Sequence, residues 1–136
     1  MENKDVRITF KSRMFDTDEQ FETSAKGVHY VKNGKHYVMY TEESEDGLSV
    51  RNILKFDSDS LKVSKIGTTK TNMYYKSGHK HVDVYRPPLG EYDMCIETEE
   101  YVLSEKDSAY EIIIGYNLEM GGSHVSKCRV EIVVEY

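Results

Sequence analysis

Val6, Ile8 and Phe10 alternate with Arg7, Thr9 and Lys11, and this two-residue period recurs along almost the whole chain. Successive side chains of an extended strand point to opposite faces, so the alternation predicts strands with one dry and one wet side. No stretch shows a convincing helical period. A polar turn near Asp16-Thr17-Asp18 precedes a second strand that begins with Phe21, Thr23 and Ala25. Then comes VHYVKNGKHYVMYTEE over 28–43. Asn33-Gly34 between two β-rich runs predicts a two-residue type I′ turn, because both central positions need positive φ. Such a turn pairs Lys32 with Lys35 and Tyr30 with Tyr37. One hairpin face is then Val28, Tyr30, Tyr37 and Met39. The other is His29, Val31, His36, Val38, Tyr40 and Glu42. Both are partly apolar, so the pattern leaves open which face points inward.

Further along, Glu45-Asp46-Gly47 reads as a turn, and Val50, Asn52, Leu54 and Phe56 form a dry face opposite Arg51 and Lys55. Asp57 to Ser60 is another turn. Leu61 and Val63 are odd-numbered whereas Ile66 is even, which predicts a bulge near Ser64-Lys65. Residues 70–76 and 79–85 read as two strands about Ser77-Gly78, and Arg86-Pro87-Pro88-Leu89-Gly90 as a break, since proline offers a ladder no donor. Tyr92, Met94, Ile96 and Thr98 share a face. Tyr101 and Leu103 fall on the opposite parity, which predicts a kink near Glu99-Glu100. In the last hairpin, Tyr110, Ile112, Ile114, Tyr116, Leu118 and Met120 are all even, as are Cys128, Val130, Ile132, Val134 and Tyr136. A plain Gly121-Gly122 turn would pair even with odd residues. The expectation is therefore a three-residue Gly121-Gly122-Ser123 loop with a bulge, placing Met120 opposite His124 and Ile114 opposite Val130.

About ten strands with short links and no crossover helix define an all-β, antiparallel up-and-down meander. Closing such a sheet into a barrel of about 8–10 strands removes its exposed edges. The interior of a barrel that size is either filled by side chains or holds one small ligand. A two-sheet sandwich is the alternative, which the tight sequential turns disfavour. With 136 residues, the chain suits a single domain over 1–136.

Composition narrows the partners. The formal charge is −6 and the pI about 5.4, which repels phosphate backbones and argues against nucleic acid. Cys95 and Cys128 form neither a disulfide framework nor a Cys-x-x-Cys pair. MENKDVRITF holds no apolar run of signal-peptide length, and no segment approaches the roughly 20 apolar residues of a membrane helix. The expectation is a cytoplasmic protein. Eleven tyrosines and no tryptophan fit half-buried strand faces, or a cavity wall that needs apolar rings with polar tips.

Several stretches together resemble the YwiB-like family of uncharacterised bacterial proteins. They are HYVKNGKHYVMYTEE with its Tyr40-x-Glu42, Asp46-Gly47 before a strand, and Lys76-Ser77-Gly78 before another, then Tyr85, LGEYDMCIET over 89–98, and IIIGYNLEMGG over 112–122. The resemblance covers nearly the whole chain. It implies a calycin-type, lipocalin-like barrel, a bacterial origin and a cytoplasmic home. Its carriers are structural patterns, so it implies little about activity. IGTTKTNMYYK over 66–76, and His79 and His81, depart from the family pattern.

Chemical candidates are few. His79 and His81 lie two residues apart on a strand, roughly 6.5–7 Å along one face, and could share one ion. Asp83 is a further step away, and a catalytic zinc needs three protein ligands. With Val82 and Val84 as the apolar alternates, the histidines are expected to face water, and no metal or cofactor is expected. Cys128 on a dry face is an inert small hydrophobe. Glu42 would be a raised-pKa acid only if it pointed into the barrel, and Glu97, Glu99 and Glu100 read as a solvated strand end. No nucleophile elbow or phosphate loop is present, and no catalysis is expected. What remains is binding of a small apolar or amphipathic ligand, with a pocket of Asn52, Tyr92, Met94, Tyr110 and Tyr116, joined by Tyr40 and Glu42 if their face is inward. The alternative is a packed barrel serving as a protein-interaction or homodimer module through the second apolar face of the 28–42 hairpin.

Overall fold

The computed structural model describes residues 3–43, 47–67, 70–85 and 91–136, without the side chains of Tyr85 and Tyr92. The strands are β1 (Lys4–Met14), β2 (Glu19–Lys32), β3 (Lys35–Glu43), β4 (Ser49–Phe56), β5 (Ser60–Ile66), β6 (Lys70–Lys76), β7 (Lys80–Tyr85), β8 (Tyr92–Lys106), β9 (Ala109–Met120) and β10 (Ser123–Glu135). They form one antiparallel sheet in the order β6-β5-β4-β3-β2-β1-β10-β9-β8-β7. The sheet curls until β6 packs against β7 and β8, giving a nearly closed barrel. The alternating dry positions point into its lumen: Ile8, Val38, Leu54, Phe56, Leu61, Ile96, Ile112, Ile114, Ile132 and Val134 are all essentially inaccessible. Sequential antiparallel strands put the β2–β3, β4–β5, β6–β7 and β8–β9 turns at one end. The other connections lie at the opposite end.

Local chemistry fixes the turns. Asn33 and Gly34 both have positive φ, 52° and 75°, and the hairpin pairs Lys32 with Lys35 and Tyr30 with Tyr37. The His29–Tyr40 face is the inward one. The Asp57 carboxylate accepts the Asp59 and Ser60 amides, each at 2.9 Å, and so folds the β4–β5 turn. The expected kink is a bulge between Thr98 and Glu100, after which Tyr101 and Leu103 rejoin the inward face.

Two register expectations are corrected. β4 and β5 pair without interruption from Phe56–Leu61 to Arg51–Ile66. No bulge occurs at Ser64-Lys65, because Ile66 simply faces outward near the strand end, 38% exposed. The last hairpin has a two-residue Gly121-Gly122 turn that pairs Met120 with Ser123. The register is restored by a bulge between His124 and Ser126, so Ile114 still faces Val130. The extra residue needed to match the dry faces sits in the strand rather than in the turn. Glu45-Asp46 and the 86–90 break lie outside the described residues.

Among the described residues the ladder lapses in two places. β2 and β3 pair only over Val28–Lys32, so Glu19–Gly27 pairs with β1 alone. Gly27 marks the fork: a Cβ there would lie 2.5 Å from the Met39 carbonyl oxygen and 2.8 Å from Ile8 Cδ1. The second lapse is the seam between β6 and β7, which side chains close. The Asn72 amide donates to Asp83 Oδ2 at 2.8 Å, and its carbonyl lies 3.2 Å from His81 Nε2.

Candidate functional site

The inward side chains divide into two groups. Around the β2–β3 turn the mouth is plugged by rings. The His36 ring stacks on Phe56 with centroids 4.9 Å apart and lies 4.5 Å from Tyr110. His29 Nε2 is 3.0 Å from His36 Nδ1, and the Tyr136 hydroxyl is 2.9 Å from His29 Nδ1. Neutral rings suffice, with one hydrogen in each contact. Burial is the main cause that holds His29 down to about 4, with His36 and Lys4 adding to it. Burial also lowers His36, against the pull of the Glu105 and Asp57 carboxylates. The Tyr101 hydroxyl lies 2.8 Å from the Asp57 carbonyl and 2.9 Å from that of Ser60, tying β8 to the β4–β5 turn.

Beyond this cluster of rings the lining becomes polar, from Asn52 on β4 to Thr98 beside the β6–β7 turn. Asn52 is wholly buried and pairs across the ladder with Tyr40, also buried. Thr98 is 1% exposed and pairs with Tyr116. The Tyr116 ring meets Tyr75 edge-on at 5.2 Å, and its strand neighbour is the buried Cys128. Burial raises the Tyr40 phenol, helped by a hydrogen bond to Glu42. Burial likewise raises Tyr75, Tyr116 and the Cys128 thiol, so these groups are neutral hydrogen-bonding partners rather than nucleophiles. Two atoms stand out. Asn52 Oδ1 and Thr98 Oγ1 are buried without a hydrogen-bond partner among the described residues, although the Thr98 amide and carbonyl are engaged by His79 and Gly78. A buried acceptor left unmatched costs about 1–3 kcal/mol.

Of the expected pocket residues, Tyr40, Asn52, Met94 and Tyr116 fall on the inward face in this polar half. Tyr110 does not join them, because it packs into the histidine plug. Glu42 is exposed at the rim, since β3 ends there. The side chain of Tyr92 is outside the described residues. His79 is exposed as expected, but His81 is half-buried and Val82 is 57% exposed, the reverse of the expected facing. β7 pairs His81 with Ile96 and Asp83 with Met94, which turns the polar residues toward the seam. Among the described residues, no group of three His, Cys, Asp or Glu side chains could hold a metal ion. Sequence reasoning passed over Thr98, although it shares the face of Met94 and Ile96. It also passed over the His29–His36 pair, which the Asn33-Gly34 register places diagonally across the hairpin.

A ten-stranded meander barrel, plugged by rings at one end and with buried polar groups in its lining, defines the class. Residues 6–132 match the model of the family described as a domain of unknown function, DUF1934, and the chain belongs to that family. It is similar to the "Uncharacterized beta-barrel protein YwiB" of Bacillus subtilis (strain 168), at 27% identity over 118 residues, covering 85% of this chain and 82% of the relative. The crystal structure of the ywiB protein from Bacillus subtilis superposes with a TM-score of 0.82 at 25% identity, covering 98% of this chain and 92% of that one.

Proposed function

We infer that this barrel binds a small, largely apolar molecule carrying at least one hydrogen-bond donor, in the part of its lumen lined by Asn52 and Thr98, and performs no chemical step on it. The observation that carries this reading is that the Asn52 amide oxygen and the Thr98 hydroxyl are buried with no partner among the described residues. Tyr40, Met94 and Tyr116 supply the neighbouring wall. Apolar walls with a few convergent polar groups are what orients a small ligand. The raised phenols of Tyr40 and Tyr116 keep their protons and act as neutral handles. Free, buried Cys95 and Cys128 support a reducing, cytoplasmic setting in a bacterium. A second reading, an assembly module, is favoured by a different observation, the unpaired edge of β2.

Native mass spectrometry of protein purified from its own host tests the binding reading. The expected result is a co-purified small molecule that is absent from the Asn52→Leu/Thr98→Val variant. That variant is expected to fold at least as stably, because it removes both unmatched acceptors. A ligand-free wild-type protein, or a ligand retained by the variant, overturns it.

A further inference from the structure

From Glu19 to Lys26, β2 has β1 on one side and, among the described residues, no strand on the other. Glu19 to Ser24 are all exposed. Phe21 is 54% exposed beside Phe15 at 44%, and both line an open hollow of about 660 Å³ together with Gln20 and Glu22. A strand edge of this length exposes a row of unpaired amides and carbonyls, and soluble proteins ordinarily blunt such a row. This protein blunts its other lapse: Asp83 and His81 occupy the Asn72 groups on the edge of β6. The β2 edge has no proline, and its one charge on the inward parity, Glu19, lies at the start of the strand. From there its inward positions are Phe21, Thr23 and Ala25, which pair with Ser12, Phe10 and Ile8.

We propose that this edge is a docking surface for a second copy of the chain, the two β2 strands pairing antiparallel about a twofold axis at Thr23. A twofold perpendicular to a sheet requires each residue to pair with one on the same face, so the axis must pass beside a residue that faces its own copy. The free segment ends at Lys26, because at Gly27 the β3 backbone is already in contact. An axis at Thr23 therefore uses all of 20–26. It sets Thr23 against Thr23, Phe21 against Ala25, Glu22 against Ser24 and Gln20 against Lys26. Each Lys26 then lies diagonal to the other copy's Glu22, within reach of a long side chain. Moving the axis to Glu22 puts two carboxylates face to face. Moving it to Ser24 runs Phe21 into the fork at Gly27. Pairing about Thr23 also covers the exposed Phe21 ring with Ala25 of the other copy, an apolar contact the isolated chain does not provide.

Sedimentation velocity at about 50 µM reads the oligomeric state. The wild-type protein is expected to sediment as a dimer. Thr23→Lys places two ammonium groups opposite each other at the axis and is expected to weaken association by roughly tenfold or more, with an unchanged circular dichroism spectrum. Thr23→Cys reports the register: the two Cα atoms of a cross-strand pair lie about 4.5–5.5 Å apart, inside disulfide range. Mild oxidation is thus expected to give a covalent dimer, and the buried Cys95 and Cys128 do not compete. A monomeric wild-type protein at that concentration, which would leave the edge for a strand of another protein, overturns the proposal. So does a dimer that Thr23→Lys leaves intact, or one that Thr23→Cys does not crosslink.

Discussion

The two lapses in the ladder are handled in opposite ways. At the β6/β7 seam, side chains take over the work of a missing ladder. Asp83 accepts the Asn72 amide, His81 meets the Asn72 carbonyl, and the Gly78 amide and His79 carbonyl bond to the Thr98 backbone. At the β2/β3 fork nothing comparable happens among the described residues. The strands part at Gly27, and the Phe10 and Tyr40 rings, with centroids 5.7 Å apart, meet on the inner side of the gap. The difference teaches where the barrel spends polar side chains. The seam joins two edges of the same sheet, so an unmatched edge there would be buried and costly. The fork faces outward, where water or another strand can satisfy the same groups.

The largest expected effect is at the fork. Gly27→Val introduces a Cβ within 2.5 Å of the Met39 backbone oxygen and 2.8 Å of Ile8 Cδ1. Neither backbone nor filled core yields easily, so a loss of about 3 kcal/mol or more is expected in urea unfolding. A variant of wild-type stability would show that β2 and β3 can separate further than the geometry implies.

Just above the fork, the paired part of β2 carries His29, whose folded value of about 4 lies below the 6.5 of the unfolded chain. As pH falls, the unfolded chain takes up this proton first. The His29 contribution is therefore complete above pH 6.5 and is lost between 6.5 and 4, on the order of 2 kcal/mol. Unfolding curves at pH 7 and 4.5 measure the loss, which is expected to shrink in His29→Asn. Asp57, held down to about 2 chiefly by Lys35, adds a separate acid limb between 3.8 and 2.

At the seam, Asp83→Ala leaves the Asn72 amide without its acceptor, and about 1–2 kcal/mol is expected to be lost. Asp83→Asn keeps a carbonyl oxygen and should recover about half of that. Hydrogen exchange sharpens the comparison, because the Asn72 amide is expected to be protected in wild type and fast in Asp83→Ala. The smallest effect belongs to the open edge. Thr23→Lys adds a charge to an exposed strand and is expected to change unfolding free energy by less than about 0.5 kcal/mol in the separated monomer. A larger loss would mean that the edge is engaged within the chain itself.

The sequence by itself determined the all-β meander, the Asn33-Gly34 hairpin, the kink after Thr98 and most of the core. All of these follow from local rules: period two fixes which side chains share a face, and positive φ fixes the turn. Asn52, Met94 and Tyr116 were legible as inward residues for the same reason, whereas the alternation left open which face of the 28–42 hairpin, and so Tyr40, points inward. Tertiary structure alone decided how far each strand runs beside its neighbour. Ile66 and Val82 break the expected facing because β5 ends and β7 is an edge, and neither fact is written in alternation. Tyr110 shares the parity of Tyr116 but belongs to the histidine plug, since depth along the lumen is set by strand tilt and stagger. His81 and Asp83 became seam residues only because the curled sheet brings β6 to β7, a contact between edges that no local pattern encodes.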